Sequence, residues 1–133
     1  MCIPASPKTE AIKSEAPLIT FGWSVKSSVE FTNPVNLNIE DGYYAAKRCA
    51  LSIVAQVKKA CGDDLSKVKS CIKLTGFVNS TDDFTEQPKV INGASDLIAS
   101  IFGETGTHTR AAVSTNSLPL GVSVEVDAIF ELK

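Results

Sequence analysis

The chain has 133 residues, of which 44% are apolar and 21% are charged, and its formal net charge is −2. This size and composition fit one globular domain spanning residues 1–133 and exclude a disordered chain. The acidic balance offers no field that would attract nucleic acid or an anionic membrane surface. No apolar run approaches the ~20 residues of a membrane span, and the start lacks the apolar segment of a secretory signal. The sequence therefore predicts a cytoplasmic protein without a membrane or nucleic-acid partner.

The residue types that bind metals or act as thiol nucleophiles are few and scattered. The four cysteines (Cys2, Cys49, Cys61 and Cys71) form no C-x-x-C pair, and in a reducing compartment they are expected to be free thiols. His108 is the only histidine, so a metal site would lack its usual ligand cluster. We expect neither a metal site nor a thiol nucleophile.

The first half of the chain is expected to contain an arm, a strand region and a long helix. Residues 1–17 hold three of the six prolines and should form an irregular arm. β-type residues in near alternation from 18 to 35 predict one or two strands. A helix should then begin after Asn38, a favoured N-cap, and stop at Gly62. Ile53 lies in the middle of its apolar stripe.

The second half alternates strands with a second helix. Residues 68–78 are expected to form a strand, followed by a helix over about 88–103 with Ile98 in its apolar stripe. Two strands, 108–115 and 122–132, should end the domain. Two helices separated by single strands predict an α+β domain in which both helices cover one face of a sheet.

The other face of this sheet needs cover as well. Side chains alternate between the two faces of a strand, so Phe77 and Ile129 are expected to point away from the helices. Packing of sheets between copies of the chain would bury them. The sequence therefore predicts a homo-oligomer.

The last two strands carry the best-placed chemical residues. If they form a hairpin centred between Ser117 and Leu118, one side of the hairpin is mostly apolar. That side would pack against the helices. Arg110 then lies across from Glu125 on the opposite side. The same register pairs Ala111 with Val124, Val113 with Val122, Thr109 with Val126, His108 with Asp127, and Ala112 with Ser123.

Two chemical interpretations of Arg110 and Glu125 remain open from this pattern. A guanidinium binds a substrate carboxylate through two parallel hydrogen bonds, and a carboxylate beside it can orient or deprotonate a water. A cross-strand ion pair without catalytic function is the commoner cause of such a pattern. Asn92-Gly93 also has two interpretations, because both residues are poor helix formers within a predicted helix. They form either a local turn or a place where the Asn92 amide faces a ligand.

Several stretches match a known family. They are Gly42-Tyr43-Tyr44-Ala45-Ala46, Thr75-Gly76-Phe77-Val78-Asn79-Ser80, Phe84 to Ser95, Arg110-Ala111-Ala112-Val113, Leu118-Pro119-Leu120-Gly121 and Val124-Glu125-Val126-Asp127-Ala128-Ile129. Through them, residues 36–133 resemble the Rid/YjgF family of reactive-intermediate (enamine/imine) deaminases, once labelled L-PSP endoribonucleases.

The resemblance implies a fold, an assembly and an activity. The implied fold is a chorismate-mutase-like mixed sheet with two helices packed on one face, in a homotrimer with sites between subunits. The implied reaction is hydrolysis of an imine or enamine to a 2-keto acid and ammonia, without a cofactor. Arg110 would bind the substrate carboxylate and Asn92 would line the site. Glu125 would help to place the water.

Two features differ from the family pattern. The family usually begins with strands that carry a Ser-Gly-Gln element, and this chain has a shortened N-terminus with Ile19-Thr20-Phe21-Gly22-Trp23 there. Deaminases of the family often have cysteine two residues after the arginine, where this chain has Ala112. The alternative is a catalytically silent trimer that binds small carboxylates, or proteins, in the same clefts. An endoribonuclease is a third reading, against which the single histidine and the acidic balance argue.

Overall fold

The described residues of the domain form a five-stranded mixed sheet with two α-helices on one face. The computed structural model describes residues 2–4, 18–25 and 38–133. Its elements are β1 (Cys2–Pro4), β2 (Leu18–Val25), α1 (Ile39–Ala60), β3 (Val68–Asn79), α2 (Gln87–Phe102), β4 (Thr109–Thr115) and β5 (Val124–Leu132). The strand order is β1-β2-β5-β3-β4. The predicted α+β class with two helices on a mixed sheet is confirmed for this part of the chain.

The N-terminal region differs in part from the prediction. Cys2–Pro4, expected to be irregular, pairs antiparallel with Trp23–Val25 as the edge strand of the sheet. An edge position tolerates proline, and local composition gives no sign of a partner so far along the chain. The rest of the predicted arm lies outside the described residues. The strand predicted from residue 18 is confirmed over Leu18–Val25, and its continuation to residue 35 also falls outside them.

Local signals place both ends of α1. The side chain of Asn38 accepts a hydrogen bond from the Asp41 amide at 2.8 Å, which satisfies one N–H group of the first turn. The helix ends at Ala60, and Gly62 follows with a φ of +66°, a conformation that glycine adopts at little cost. The predicted N-cap and stop are confirmed.

α2 is continuous through Asn92-Gly93, so the local turn considered above does not form. The glycine is needed because α1 passes very close at this point. A Cβ atom at position 93 would collide with the backbone carbonyl of Tyr43. Close helix packing therefore explains a residue that the propensity scale disfavours.

The core lies between the two helices and the sheet. Ile53, Ile98, Leu74 and Phe130 are fully buried there. Along β5, buried residues alternate with partly exposed ones, which identifies the helix-facing side of the strand. Among the described helices, none is both long and apolar enough to cross a membrane.

The buried position of the two isoleucines gives a stability prediction. Ile53→Ala or Ile98→Ala should each reduce the free energy of unfolding by about 2–5 kcal/mol, because each removes methyl groups from a closed core and leaves a cavity. Denaturant unfolding of both variants beside the exposed Lys58→Ala control measures the effect. Midpoints equal to that of the control would contradict this description of the core.

β3 changes its alternation near its start. Strict alternation along the predicted strand would place Ile72 on the same side as Val68 and Leu74, and Cys71 on the other side. The structure instead buries Cys71 and leaves Ile72 41% exposed. Its pairing with β5 shifts register between Val68 and Ser70 and again between Cys71 and Lys73. Such irregularities reverse the inward and outward positions, and a periodic pattern alone does not locate them.

The predicted hairpin of the last two strands is wrong. β4 pairs in parallel with β3, and β5 pairs antiparallel with β3 on its other side, so β3 separates them. α2 connects β3 to β4, and a helical crossover of this kind is what parallel neighbours require. β5 then enters the middle of the sheet, between β3 and β2, where strands pair with it on both sides.

The face of the sheet opposite the helices carries both apolar and acidic groups. Aligned positions on β3, β4 and β5 place Phe77, Val113 and Glu125 in one row across it. Asp127 and Ile129 follow along β5 on the same face. We call this surface the open face. The prediction that Phe77 and Ile129 point away from the helices is confirmed, whereas Val113 was expected on the helix side.

Candidate functional site

Arg110 lies on the edge strand β4 and points to the helix side of the sheet. Its register partner on β3 is Leu74, a fully buried residue beneath the helices. The guanidinium reaches over the edge to α2, where Nη1 donates hydrogen bonds to Asn92 Oδ1 at 2.7 Å and Ser95 Oγ at 3.2 Å. The structure therefore brings together Arg110 and Asn92, two of the three predicted site residues.

Helical spacing explains how α2 contributes two acceptors. Asn92 and Ser95 are three residues apart and so project from the same face of the helix. Both are partly exposed, at the side of α2 that borders β4. The neighbouring Gly93 allows α2 to approach α1, which fixes the depth at which this helix lies. The hydroxyl of Tyr43 on α1 also donates a 3.0 Å hydrogen bond to Asp96 on α2, and this bond to a carboxylate raises the pKa of Tyr43.

The guanidinium is held from one side only. Within the described part of the chain, hydrogen bonds engage only its Nη1, and no carboxylate lies within ion-pair distance. Arg110 is exposed to solvent. A guanidinium fixed by neutral acceptors keeps its full charge and its remaining N–H donors for an anion from solution.

Glu125 lies elsewhere. Its register partner is Phe77, on the open face, whereas Arg110 lies on the helix side. Arg110 and Glu125 are separated by two inter-strand spacings across the sheet and by three residues along the strands, so their Cα atoms lie on the order of 14 Å apart. Their side chains project from opposite faces of the sheet. The predicted pairing of Arg110 with Glu125 is therefore wrong within one chain, because β3 intervenes.

The other predicted cross-strand pairs fail for the same reason. The partner of Asp127 on β3 is Thr75, and the partner of Ala112 is Gly76. His108 precedes β4 and does not face Asp127. Its ring contacts Ser95 and the Gly106 carbonyl instead.

Ser95 was not among the residues predicted to form the site. Serine is common on helix surfaces, and its contacts come from residues thirteen and fifteen positions away on another element. One signal was available, since Ser95 follows the singled-out Asn92 by one helical turn. Together, Arg110, Asn92, Ser95 and His108 form a polar group that we call the edge cluster.

Cys49, Cys61 and Cys71 are poorly placed for chemistry. Burial raises the pKa of Cys71 to about 11, so at neutral pH its thiol is almost entirely protonated. Burial also raises the pKa of Cys61. Cys49 lies in the core with its sulfur 3.8 Å from the Val124 carbonyl oxygen. Across the described residues, no three His, Cys, Asp or Glu side chains are grouped so as to hold a metal ion.

Comparison with known proteins adds two sequence matches. The family model described as "YjgF/chorismate_mutase-like, putative endoribonuclease" matches residues 20–132. Protein TCP17 of Trypanosoma cruzi is 53% identical over 98 residues, which cover 73% of this chain and 61% of that protein. The chain thus spans less than two thirds of the length of that relative.

Two solved structures share the fold. Atu1372 of Agrobacterium tumefaciens, a protein of unknown function, is 43% identical with a TM-score of 0.79, over 91% of this chain and 79% of that one. A Shewanella oneidensis MR-1 protein with the same endoribonuclease description is 29% identical with a TM-score of 0.80, over 98% and 89%. The family match extends over most of the chain and agrees with the architecture. The chain belongs to the YjgF/Rid family.

Proposed function

We propose that the protein hydrolyses 2-imino acids, or their enamine tautomers, to 2-keto acids and ammonia. The observation that carries this proposal is the guanidinium of Arg110, fixed by Asn92 and Ser95 and without a carboxylate partner among residues 38–133. A held, exposed guanidinium recognises a carboxylate through two parallel hydrogen bonds. Both the imino acid and the keto acid carry such a group. Membership of the YjgF/Rid family agrees with this substrate class.

The position of Glu125 adds a condition to the proposal. Arg110 and Glu125 lie on opposite sides of the sheet, so a small substrate cannot contact both within one chain. We infer that each site combines Arg110 of one copy with Glu125 of another. Three copies arranged in a ring would make three equivalent sites of this kind, because a head-to-tail interface closes by rotation.

The open face supports this assembly. It presents Phe77, Val113 and Ile129 beside Glu125, and Val113 is 43% exposed. Apolar side chains on a sheet face favour contact with another copy, because that contact removes their surface from water. The same contact would carry Glu125 to the edge of the neighbouring sheet, where an edge cluster lies.

Each of the three side chains has a chemical role in the proposed reaction. Arg110 binds the carboxylate, and Asn92 holds the guanidinium in place. Glu125 of the second copy orients a water toward the imine carbon and accepts a proton from that water as it attacks. Addition of water to the C=N bond gives a carbinolamine, which loses ammonia to leave the keto acid. No step requires a cofactor.

The direct test is keto-acid release from an imine made in place. A dehydratase that generates 2-aminoacrylate or 2-iminobutyrate is mixed with the protein, and pyruvate or 2-oxobutyrate is followed with time. Release above the uncatalysed background is expected, together with a light-scattering mass near three times 14.1 kDa. A monomer at micromolar concentration, or release at the background rate, would contradict the proposal.

A silent binding trimer is the alternative at the same site. It would bind 2-oxobutyrate in calorimetry in an Arg110-dependent manner and leave the background rate unchanged. For the endoribonuclease description of the family, the net charge of −2 and the single histidine give no support.

A further inference from the structure

The hydrogen bonds of His108 define which ring nitrogen carries the proton. Nδ1 lies 2.6 Å from the Gly106 carbonyl oxygen, which can only accept, so Nδ1 is the donor. In the neutral ring, Nε2 is then an acceptor. Ser95 Oγ lies 3.0 Å from Nε2, and the serine hydroxyl therefore donates to the imidazole.

This chain of contacts has the parts of a serine nucleophile with its base. A hydroxyl bonded to an imidazole, whose far nitrogen is oriented by a third group, is the general arrangement for activating serine. Here Ser95 is the hydroxyl, His108 the imidazole and the Gly106 carbonyl the orienting group. Ser95 and His108 are both partly exposed, so a small molecule has access to them.

Arg110 adds positive charge at the reacting atom. Its Nη1 is 3.2 Å from Ser95 Oγ. A cation at this distance favours negative charge on the serine oxygen, and its other N–H groups can stabilise the oxyanion that forms when a carbonyl carbon is attacked. The edge cluster thus holds a nucleophile, a base and an oxyanion donor together.

We propose that Ser95 is a nucleophile that accepts acyl groups from small carboxylic esters, with His108 as its base. Ser95 Oγ bonds to the ester carbonyl carbon while its proton passes to His108 Nε2. The bond from that carbon to the alcohol oxygen breaks, and the same proton goes to the leaving oxygen. Water then repeats the sequence on the acyl-serine, which releases the carboxylic acid and restores the serine.

Turnover is expected to be slow. The orienting group of His108 is a neutral carbonyl, which stabilises an imidazolium less than a carboxylate would. Covalent capture of Ser95 is therefore a sharper readout than steady-state hydrolysis. This chemistry does not depend on imine hydrolysis, and its test does not use an imine.

The experiment treats the untagged full chain with a small alkyl fluorophosphonate and follows it by intact-mass spectrometry and peptide mapping. The P–F bond breaks as the Oγ–P bond forms, fluoride leaves, and the serine proton passes through His108 to solvent. We expect one adduct per chain, mapped to Ser95. Ser95→Ala should abolish it, and His108→Gln should slow it about tenfold or more.

Ser100→Ala is the matched control, because Ser100 is an exposed serine of the same helix whose hydroxyl donates to the Leu97 carbonyl. It should label like the wild type. No adduct on the wild type, an adduct at another residue, or equal labelling of Ser95→Ala would overturn the proposal. If Ser95→Ala does not fold, folded His108→Gln decides, and an unchanged labelling rate in that variant would refute the role of the base.

Discussion

Arg110→Lys should lower kcat/KM for imine hydrolysis by about 10- to 100-fold, which corresponds to the ~1.5–3 kcal/mol of a hydrogen bond to a charged group. Lysine keeps the positive charge but cannot form two parallel hydrogen bonds with a carboxylate. It also cannot keep the guanidinium contacts with Asn92 and Ser95 that fix the group in place. The measurement is keto-acid release over a range of imine supply.

Arg48 provides the control, since it is the other arginine of the chain and lies exposed on α1. Arg48→Lys should leave the kinetics unchanged. Equal kcat/KM for wild type and Arg110→Lys, with activity above background, would exclude Arg110 as the carboxylate-binding group. Because Arg110 forms no ion pair among the described residues, its replacement should change stability little.

Glu125→Gln should lower kcat by about 10²- to 10⁴-fold, the usual range for loss of a general acid or base. The amide is nearly the same size, so packing on the open face is retained while the capacity to accept a proton from water is lost. Binding of 2-oxobutyrate should change far less than turnover, because the work of the carboxylate lies mainly in the transition state. Single-turnover rates and calorimetry separate the two quantities.

Glu104→Gln is the control for this substitution, since Glu104 is an exposed glutamate in the turn after α2. It should behave as the wild type does. Unchanged turnover in Glu125→Gln would remove the carboxylate from the mechanism. A parallel loss of binding and turnover would instead indicate that Glu125 acts in assembly or substrate binding.

Local signals in the sequence were sufficient for the ends of the helices. The Asn38 cap, the stop at Gly62 and the proline in the first turn of α2 depend on residues within one turn of each other. The buried stripes that contain Ile53 and Ile98 follow from the same short-range periodicity. The fold class and the part of the core that the helices contribute could therefore be predicted from the chain alone.

Strand pairing could not be predicted in the same way. β4 and β5 are adjacent in sequence and separated by a short connection, which favours a hairpin, yet β3 lies between them. The choice depends on α2 packing back over the sheet and on both sides of β5 finding partners, which are properties of the whole fold. The error placed Arg110 and Glu125 together and missed the contact of Ser95 with His108.

The most direct test of a site shared between copies is mixing the two variants. Arg110→Lys and Glu125→Gln chains are unfolded, combined in equal amounts and refolded, and native mass spectrometry verifies the mixed trimers. If each site takes residue 110 from one copy and residue 125 from another, random assembly makes each of these two positions wild type in about half of the sites. About a quarter of the sites should then contain both Arg110 and Glu125. The mixture should then recover about a quarter of wild-type keto-acid release, well above either variant alone. Mixed trimers no more active than the separate variants would contradict a site built from two copies.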